Sequence, residues 1–309
     1  LRIAVIGAGA IGGYVGGLLA RAGADVVFIA RGVTLAALRT EGLTIAAASG
    51  SEGGPAGAGF RVDVVATDDP AELGVADVVL HTTKATGFRD ALEQALPMVG
   101  PTTLVVTVQN GVEAPEVAAE LVGAERGVPG VVRLFSQIER PGVIEFRGGP
   151  GSIALATGDG RPSRVLEAFS DTLEAAGIRV ETPADIWTDL WLKAMYVVPF
   201  GALGALTGDT LGVLRAPDVL RDALAAAASE IGAVGAARGV AIPEDAVADT
   251  LAFMDRMPAG STASMQRDIR EGKPSELDAQ VGAICRFGDA AGVRTPLHDV
   301  IYRTLSARG

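Results

Sequence analysis

The run Ile3-Ala4-Val5-Ile6-Gly7-Ala8-Gly9-Ala10-Ile11-Gly12 constrains this chain more than any other stretch. Its apolar, β-branched start suits a buried strand beginning at Arg2, and the residues after Gly12 have the composition of a helix reaching Ala22. Between the two, Gly7 permits a tight turn, Gly9 lets backbone approach a pyrophosphate, and Gly12 lets the helix pack close on the strand. The helix N-terminus adds unpaired N–H groups and positive partial charge. One G-x-G-x-x-G in a chain with 41 glycines carries little weight alone. It gains weight from context, because a second apolar strand, Asp25 to Ala30, completes a β-α-β unit. Gly7, Ala8, Gly9, Ala10, Ile11 and Gly12 are therefore read as the wall of a dinucleotide site.

Arg31 closes the second strand. The NAD-type form of the motif carries Asp or Glu here for the ribose 2′-hydroxyl, whereas a guanidinium suits a 2′-phosphate through its fixed fork of donors. The position favours NADPH over NADH, against the plainer reading of a solvated arginine at a strand end.

At 309 residues, with 49% hydrophobic and 20% charged, the chain has the length for two domains and the composition of a globular protein. A formal net charge of −11 argues against a nucleic-acid partner, whose phosphates need a basic surface. The single cysteine, Cys285, excludes an intrachain disulfide and a cysteine-rich metal site, and it reads as a small buried apolar residue on a helix. His81 and His298 are too isolated in sequence to suggest a metal centre. The apolar start is used by the glycine motif and lacks a basic flank and a cleavage site. The longest apolar run, Tyr196 to Leu206, is short for a bilayer, so a cytoplasmic protein without membrane association is expected.

Further along, Leu35 to Glu41 reads as a short helix and Leu43 to Ala48 as a strand. The Gly/Ala/Ser stretch from Ala47 to Gly59 reads as a mobile hairpin loop, and Phe60 to Ala66 as the returning strand. A buried parallel strand from Ala76 to Thr83 ends in Lys84, and a helix follows from about Phe88 to Leu96. The strand Thr103 to Val108 runs into Gln109-Asn110-Gly111 before a helix near Ala114. Lys84 and Asn110 thus both sit at carboxyl ends of strands, the edge where open α/β sheets bind ligands. Hairpin-like strands around Pro141-Gly142 and Gly149-Pro150-Gly151, then a helix and strand from Arg164 to Glu181, close this half.

Beyond Pro183 the period changes to 3.6 and strands stop, with helices expected at Ile186–Leu206, Pro217–Arg238, Pro243–Met257 and Glu276–Ala291. The chain is therefore read as α/β: an N-terminal Rossmann-type dinucleotide-binding domain, residues 1–183, followed by an all-α C-terminal domain, residues 184–309, with substrate in the cleft between them. The Ala-rich helices offer either a homodimer face or internal core. Lys193 lies in an otherwise apolar helix, as a snorkelling surface residue or a site residue. Ser264 can cap the helix it opens or bind a carboxylate, and Ser275 and Glu276 read as a cap and a first-turn acid.

The ordered set Gly7/Gly9/Gly12, Arg31, Lys84, Gln109-Asn110-Gly111, Trp191-x-Lys193, Ser264-Met265-Gln266-Arg267-Asp268 and Lys273-Pro274-Ser275-Glu276-Leu277-Asp278 resembles the ketopantoate reductase (2-dehydropantoate 2-reductase) family over essentially the whole chain. The resemblance implies NADPH-dependent reduction of a 2-oxo acid to a 2-hydroxy acid, a step of pantothenate biosynthesis. It implies that Lys193 gives the proton to the carbonyl oxygen and that Glu276 contacts the cofactor and organises the site. Ser264 would bind substrate, and Lys84 and Asn110 would lie by the nicotinamide ribose and the reacting carbonyl. A developing alkoxide needs an adjacent acid, and an ammonium group held in a partly dry cleft is a better donor than one in water.

One departure stands out. Where the family carries asparagines four and eight residues after the lysine, this chain has Val197 and Gly201, with Pro199 expected to interrupt the helix between them. A substrate more apolar near the reacting carbon than ketopantoate is the expectation. Two other readings stand beside it: a related NADP-dependent dehydrogenase acting on another hydroxy acid or an imine, and a non-catalytic NADPH-binding protein. Retention of Lys193 and Glu276 favours the reductase.

Overall fold

The computed structural model describes residues 1–46, 59–216 and 218–308. Two compact units form, one of Leu1–Gln109 with Ala114–Ile186, the other of Asn110–Glu113 with Trp187–Gly309. A break after Pro183 follows from the change of period in the sequence; the folded chain divides inside the start of the next helix, and Asn110–Glu113 group with the helices.

The N-terminal unit is built on the strands β1 (Arg2–Ile6), β2 (Asp25–Ile29), β3 (Leu43–Ala46), β4 (Gly59–Val62), β5 (Val65–Thr67), β6 (Ala76–His81), β7 (Val99–Thr107), β8 (Gly127–Arg140), β9 (Val143–Leu155) and β10 (Arg179–Glu181). Helices α1 (Ala10–Arg21), α2 (Gly32–Glu41), α3 (Phe88–Ala95), α4 (Ala114–Val122) and α5 (Arg164–Ala175) connect them. The sheet order is β4-β3-β9-β8-β7-β6-β1-β2-β5, with β10 on β9. Its parallel core β5-β2-β1-β6-β7-β8 is doubly wound, and the winding reverses at β1, which puts the ligand crevice at the carboxyl end of that strand. β1 is buried on both faces: Ile3 and Val5 pack with Leu18, Phe28 and Phe169, while Ala4 and Ile6 pack with Val79, Phe88 and Leu92.

Two local expectations change here. The strand read over Phe60–Ala66 is two strands, because β4 pairs antiparallel with β3 whereas β5 pairs parallel with β2, and one straight strand cannot do both. The hairpins expected at Pro141-Gly142 and Gly149-Pro150-Gly151 are a single long one: β8 and β9 turn at Pro141-Gly142, and Gly148 and Gly149 lie within β9, where the register shifts. The Gly/Ala/Ser stretch expected as a loop lies, from 47 to 58, outside the described residues.

The C-terminal unit is helical: α6 (Ile186–Thr207), α7 (Leu211–Leu214), α8 (Asp218–Ala237), α9 (Ala246–Arg256), α10 (Ser264–Arg270), a π-helical turn (Asp278–Gly282), α11 (Ala283–Ala291) and α12 (Pro296–Ser306). α6 is long and apolar enough by length and composition to cross a membrane, but 61% of its apolar window is buried in the protein, with Leu190, Trp191, Ala194, Met195, Val198 and Leu203 sealed in the core. It runs unbroken through Pro199, contrary to the expected interruption. A proline inside a helix costs about 3 kcal/mol, which burial of several large side chains offsets. α12 opens with Thr295 at its N-cap and Pro296 in its first turn, but the threonine side chain makes no cap bond and a remote residue supplies the acceptor. Glu230, on α8, accepts from the Leu297 and His298 backbone N–H groups at 2.8 and 3.1 Å and contacts the buried His298 Nδ1 at 2.6 Å. Burial works to raise the Glu230 pKa, but these bonds outweigh it and hold the carboxyl below its usual value.

Candidate functional site

In the N-terminal unit the glycine turn has the form the sequence requires. Gly7 adopts φ +94°, and a Cβ there would press on Thr83. Gly9 is the N-cap of α1, with no side-chain cap and no acid in the first turn; nothing lies within 4 Å of where its Cβ would stand. The first N–H groups of α1 therefore lack a side-chain acceptor from the cap, and open space lies beside them, which fits a pyrophosphate. Gly12 has a stricter role. A Cβ there would fall 2.1 Å from both the Gly7 carbonyl oxygen and Thr82 Oγ1.

Thr82 is a site residue that sequence reasoning misses. Its hydroxyl, just beyond β6, is shared between the Ile6 and Gly7 carbonyls at 2.9 and 2.7 Å, and its backbone N–H donates to Ile6. The hydroxyl thus braces the turn from the neighbouring strand. Gln109 performs a similar task one strand further on: its Nε2 donates to the His81 and Thr83 carbonyls at 2.8 and 3.0 Å, and its Oε1 accepts from the Val108 N–H. His81 beneath is fully buried against Phe88, with ring centroids 4.1 Å apart, and burial lowers its pKa to about 4. The strand-end position of Thr82 was legible; its partner carbonyls were not.

Arg31 stands exposed at the N-cap of α2 in extended backbone, and its guanidinium donates to Gln94 on α3. Lys84 is exposed at the start of a short 3-10 turn, Ala85–Gly87, beyond β6. Both lie at the carboxyl edge of the sheet, beyond the ends of β2 and β6.

In the C-terminal unit Lys193 is half-buried on α6, between Trp191 and the pair Ala194 and Met195, all three buried. Ser264 is the exposed first residue of α10, which begins from Ala263, so the serine does not cap that helix; Gln266 Oε1 accepts from the Ala263 N–H instead. This segment packs on the helix that carries Lys193: a Cβ at Gly201 would lie 2.9 Å from Met265 Cε and 3.4 Å from the Ala263 Cβ. Glu276 is 7% exposed, and its Oε2 accepts from Gln280 Nε2 at 3.1 Å. The helix expected from Glu276 is a π turn over its first part, and no side chain caps it, so Ser275 is not a cap. Against this turn lies Asn110-Gly111. Gly111 has φ +95°, and its Cβ would meet the Ala279 carbonyl at 3.0 Å and Gln280 Cγ at 3.6 Å. The unit thus brings Ser264 to the Lys193 helix, and Asn110 to the Glu276 segment.

Cys285 is buried on α11 as expected, and burial with Asp299 nearby pushes its thiol up to about 12. Among the described residues no group of three or more His, Cys, Asp or Glu is arranged to hold a metal.

A doubly wound sheet with an uncapped glycine turn, joined in one chain to a helical unit holding a half-buried lysine, defines a dinucleotide-dependent oxidoreductase. The chain belongs to the ketopantoate reductase PanE/ApbA family: its N-terminal pattern matches residues 3–160 and its C-terminal pattern residues 185–309. A 2-dehydropantoate 2-reductase of Caulobacter vibrioides is 31% identical over 99% of this chain and 98% of its own length. One from Mesorhizobium japonicum is 29% identical over 97% of this chain and 95% of its own. The crystal structure of 2-dehydropantoate 2-reductase from Geobacter metallireducens superposes with a TM-score of 0.90 at 31% identity, covering 100% of both chains.

Proposed function

We propose that this chain reduces a 2-oxo acid to a 2-hydroxy acid with NADPH, and that Lys193 is the proton donor. The observation that carries the reading is Lys193 itself, the one basic residue of α6, held half-buried among apolar neighbours on the helix against which Ala263 and Met265, the residues flanking Ser264, lie. NADPH supplies the hydride when bound. The glycine turn from Gly7 through Ala8, Gly9, Ala10 and Ile11 to Gly12 holds its pyrophosphate, and Arg31 its 2′-phosphate. Lys84 and Asn110 border the nicotinamide ribose, and Asn110 also faces the substrate carbonyl. The Lys193 ammonium moves its proton to the carbonyl oxygen as negative charge develops there, an effect worth about a hundred- to ten-thousandfold in rate. Ser264 binds the substrate, and Glu276, held by Gln280, orients substrate and cofactor.

The substrate is more apolar than ketopantoate near its reacting carbon. Val197 follows Lys193 by one helical turn, so the two lie on one face. A turn further on, position 201 is bordered by apolar atoms, Met265 Cε 2.9 Å and Ala263 Cβ 3.4 Å from where its Cβ would stand. That face therefore offers a substrate hydrocarbon rather than hydrogen-bond partners, and a branched-chain 2-oxo acid fits it better than a hydroxylated one.

A panel of 2-oxo acids followed by loss of NADPH absorbance, with NADH in parallel, tests both parts. Preference for ketopantoate over branched-chain 2-oxo acids by about a hundredfold, the scale of such discrimination, would refute the apolar pocket. Lys193→Ala should lower kcat by at least about a hundredfold with NADPH affinity retained; unchanged turnover removes the lysine from the mechanism.

A further inference from the structure

We propose that Arg286 is a positioning residue that fastens the Asn110-Gly111 segment to the π-helical turn after Glu276, so that the two reach the substrate as one rigid group. The inference rests on the roles given above to Asn110 and Glu276. Arg286 lies on α11, away from both in sequence, yet its two terminal nitrogens join the pieces. One donates to Glu113 Oε1 at 2.8 Å and to the Asp278 carbonyl at 3.3 Å, the other to Asp278 Oδ1 at 2.9 Å. Tyr302 on α12 donates to the same Asp278 oxygen at 2.5 Å and fixes that carboxylate.

Glu113 ends the short segment that begins at Asn110, and Asp278 opens the π turn. Between these anchors the backbones are in close contact, for Gly111 leaves only 3.0 Å between an ideal Cβ and the Ala279 carbonyl. Gln280 completes the path, with its side chain beside Gly111 and its amide on Glu276. A π turn is uncommon and recurs at functional sites, and here the Ala279 carbonyl faces Gly111. The pairs themselves are half-exposed, with side-chain exposures of 44% for Arg286, 26% for Glu113 and 67% for Asp278. Pairs so exposed add little to stability, so what the fork of Arg286 contributes is geometry, which a lysine's point charge cannot reproduce.

The test uses Arg286→Gln, Glu113→Gln, the double variant and Arg286→Lys in the full-length enzyme. In hydrogen exchange, read without turnover, each glutamine variant should speed exchange of the amides at 110–113 and 278–282 by about two- to fivefold, leaving α1 unchanged. In kinetics with NADPH and 2-oxoisovalerate, each should lower kcat/KM for the 2-oxo acid by about tenfold. The double variant should be no worse than the poorer single one, and Arg286→Lys should recover only part. Unchanged exchange, unchanged kcat/KM, additive losses or full rescue by lysine would each overturn the clamp. Glu113→Gln alone carries the test if Arg286 variants fail to fold. Wild-type enzyme inactive on every 2-oxo acid would sink the proposed reaction, while the exchange rates would still decide whether the clamp exists.

Discussion

Lowering the pH should destabilise the N-terminal unit through one buried side chain. His81 sits at the end of β6 with no exposed surface, packed against Phe88 and contacted through Nδ1 by Gln109 at 3.3 Å. Burial disfavours its charged form and brings its pKa from 6.5 to about 4. The folded value lies below the unfolded one, so between these pH values the unfolded chain takes up the proton first. Stability is therefore full above about pH 6.5 and is lost as the pH falls towards 4. At 1.36 kcal/mol per pKa unit, the loss is about 3 kcal/mol over the whole window and about 2 kcal/mol between pH 7 and pH 5. The upper half of the window is the one to use, since the sequence pI is about 4.7 and the protein has little net charge near it. Urea unfolding of wild type and His81→Asn at pH 7 and pH 5 isolates the term, because other titrating groups are common to both. The variant keeps an acceptor near the Nδ1 position and should be less stable at pH 7, but its loss on going to pH 5 should be smaller by about 2 kcal/mol. Parallel losses in the two proteins would refute the reasoning.

Two further outcomes follow from the glycine turn and its neighbour. Gly12→Ala sets a Cβ against a backbone carbonyl and the Thr82 hydroxyl at 2.1 Å, so its Tm should fall by several degrees and NADPH binding should be lost, whereas Gly9→Ala, with nothing within 4 Å, should keep the wild-type Tm and lose only binding; thermal scans with NADPH fluorescence titration decide, and equal Tm values would refute the packing argument. Arg31→Ala should lower kcat/KM for NADPH by about ten- to hundredfold, the worth of a charge-assisted bond, and leave that for NADH within about twofold; equal losses would take Arg31 off the 2′-phosphate.

Much of the fold was legible because its determinants are local. The glycine turn needs residues adjacent in sequence, and the switch from buried strands to 3.6-residue periodicity is a property of each segment alone. The strand-end positions of the candidate site residues Lys84 and Asn110 were legible for the same reason: a strand's end is read from its own apolar run. Lys193 could be singled out as an ion in an apolar helix, and Cys285 as a buried apolar residue, without knowing any partner.

What only the tertiary structure decided are the things settled between segments. Which strand β4 and β5 each pair with, the passage of α6 through Pro199, and the capping of α12 by Glu230 depend on packing energies that outweigh local preference. Thr82 and Gln109 look in sequence like polar residues beside a strand end; only the fold puts the carbonyls of Gly7, His81 and Thr83 within their reach. The sequence by itself determined that a dinucleotide turn and a lysine-bearing helix exist. The tertiary structure decided which carbonyl each hydroxyl, amide and guanidinium meets, because a hydrogen bond is set by distances of about 3 Å between groups that the chain alone leaves far apart.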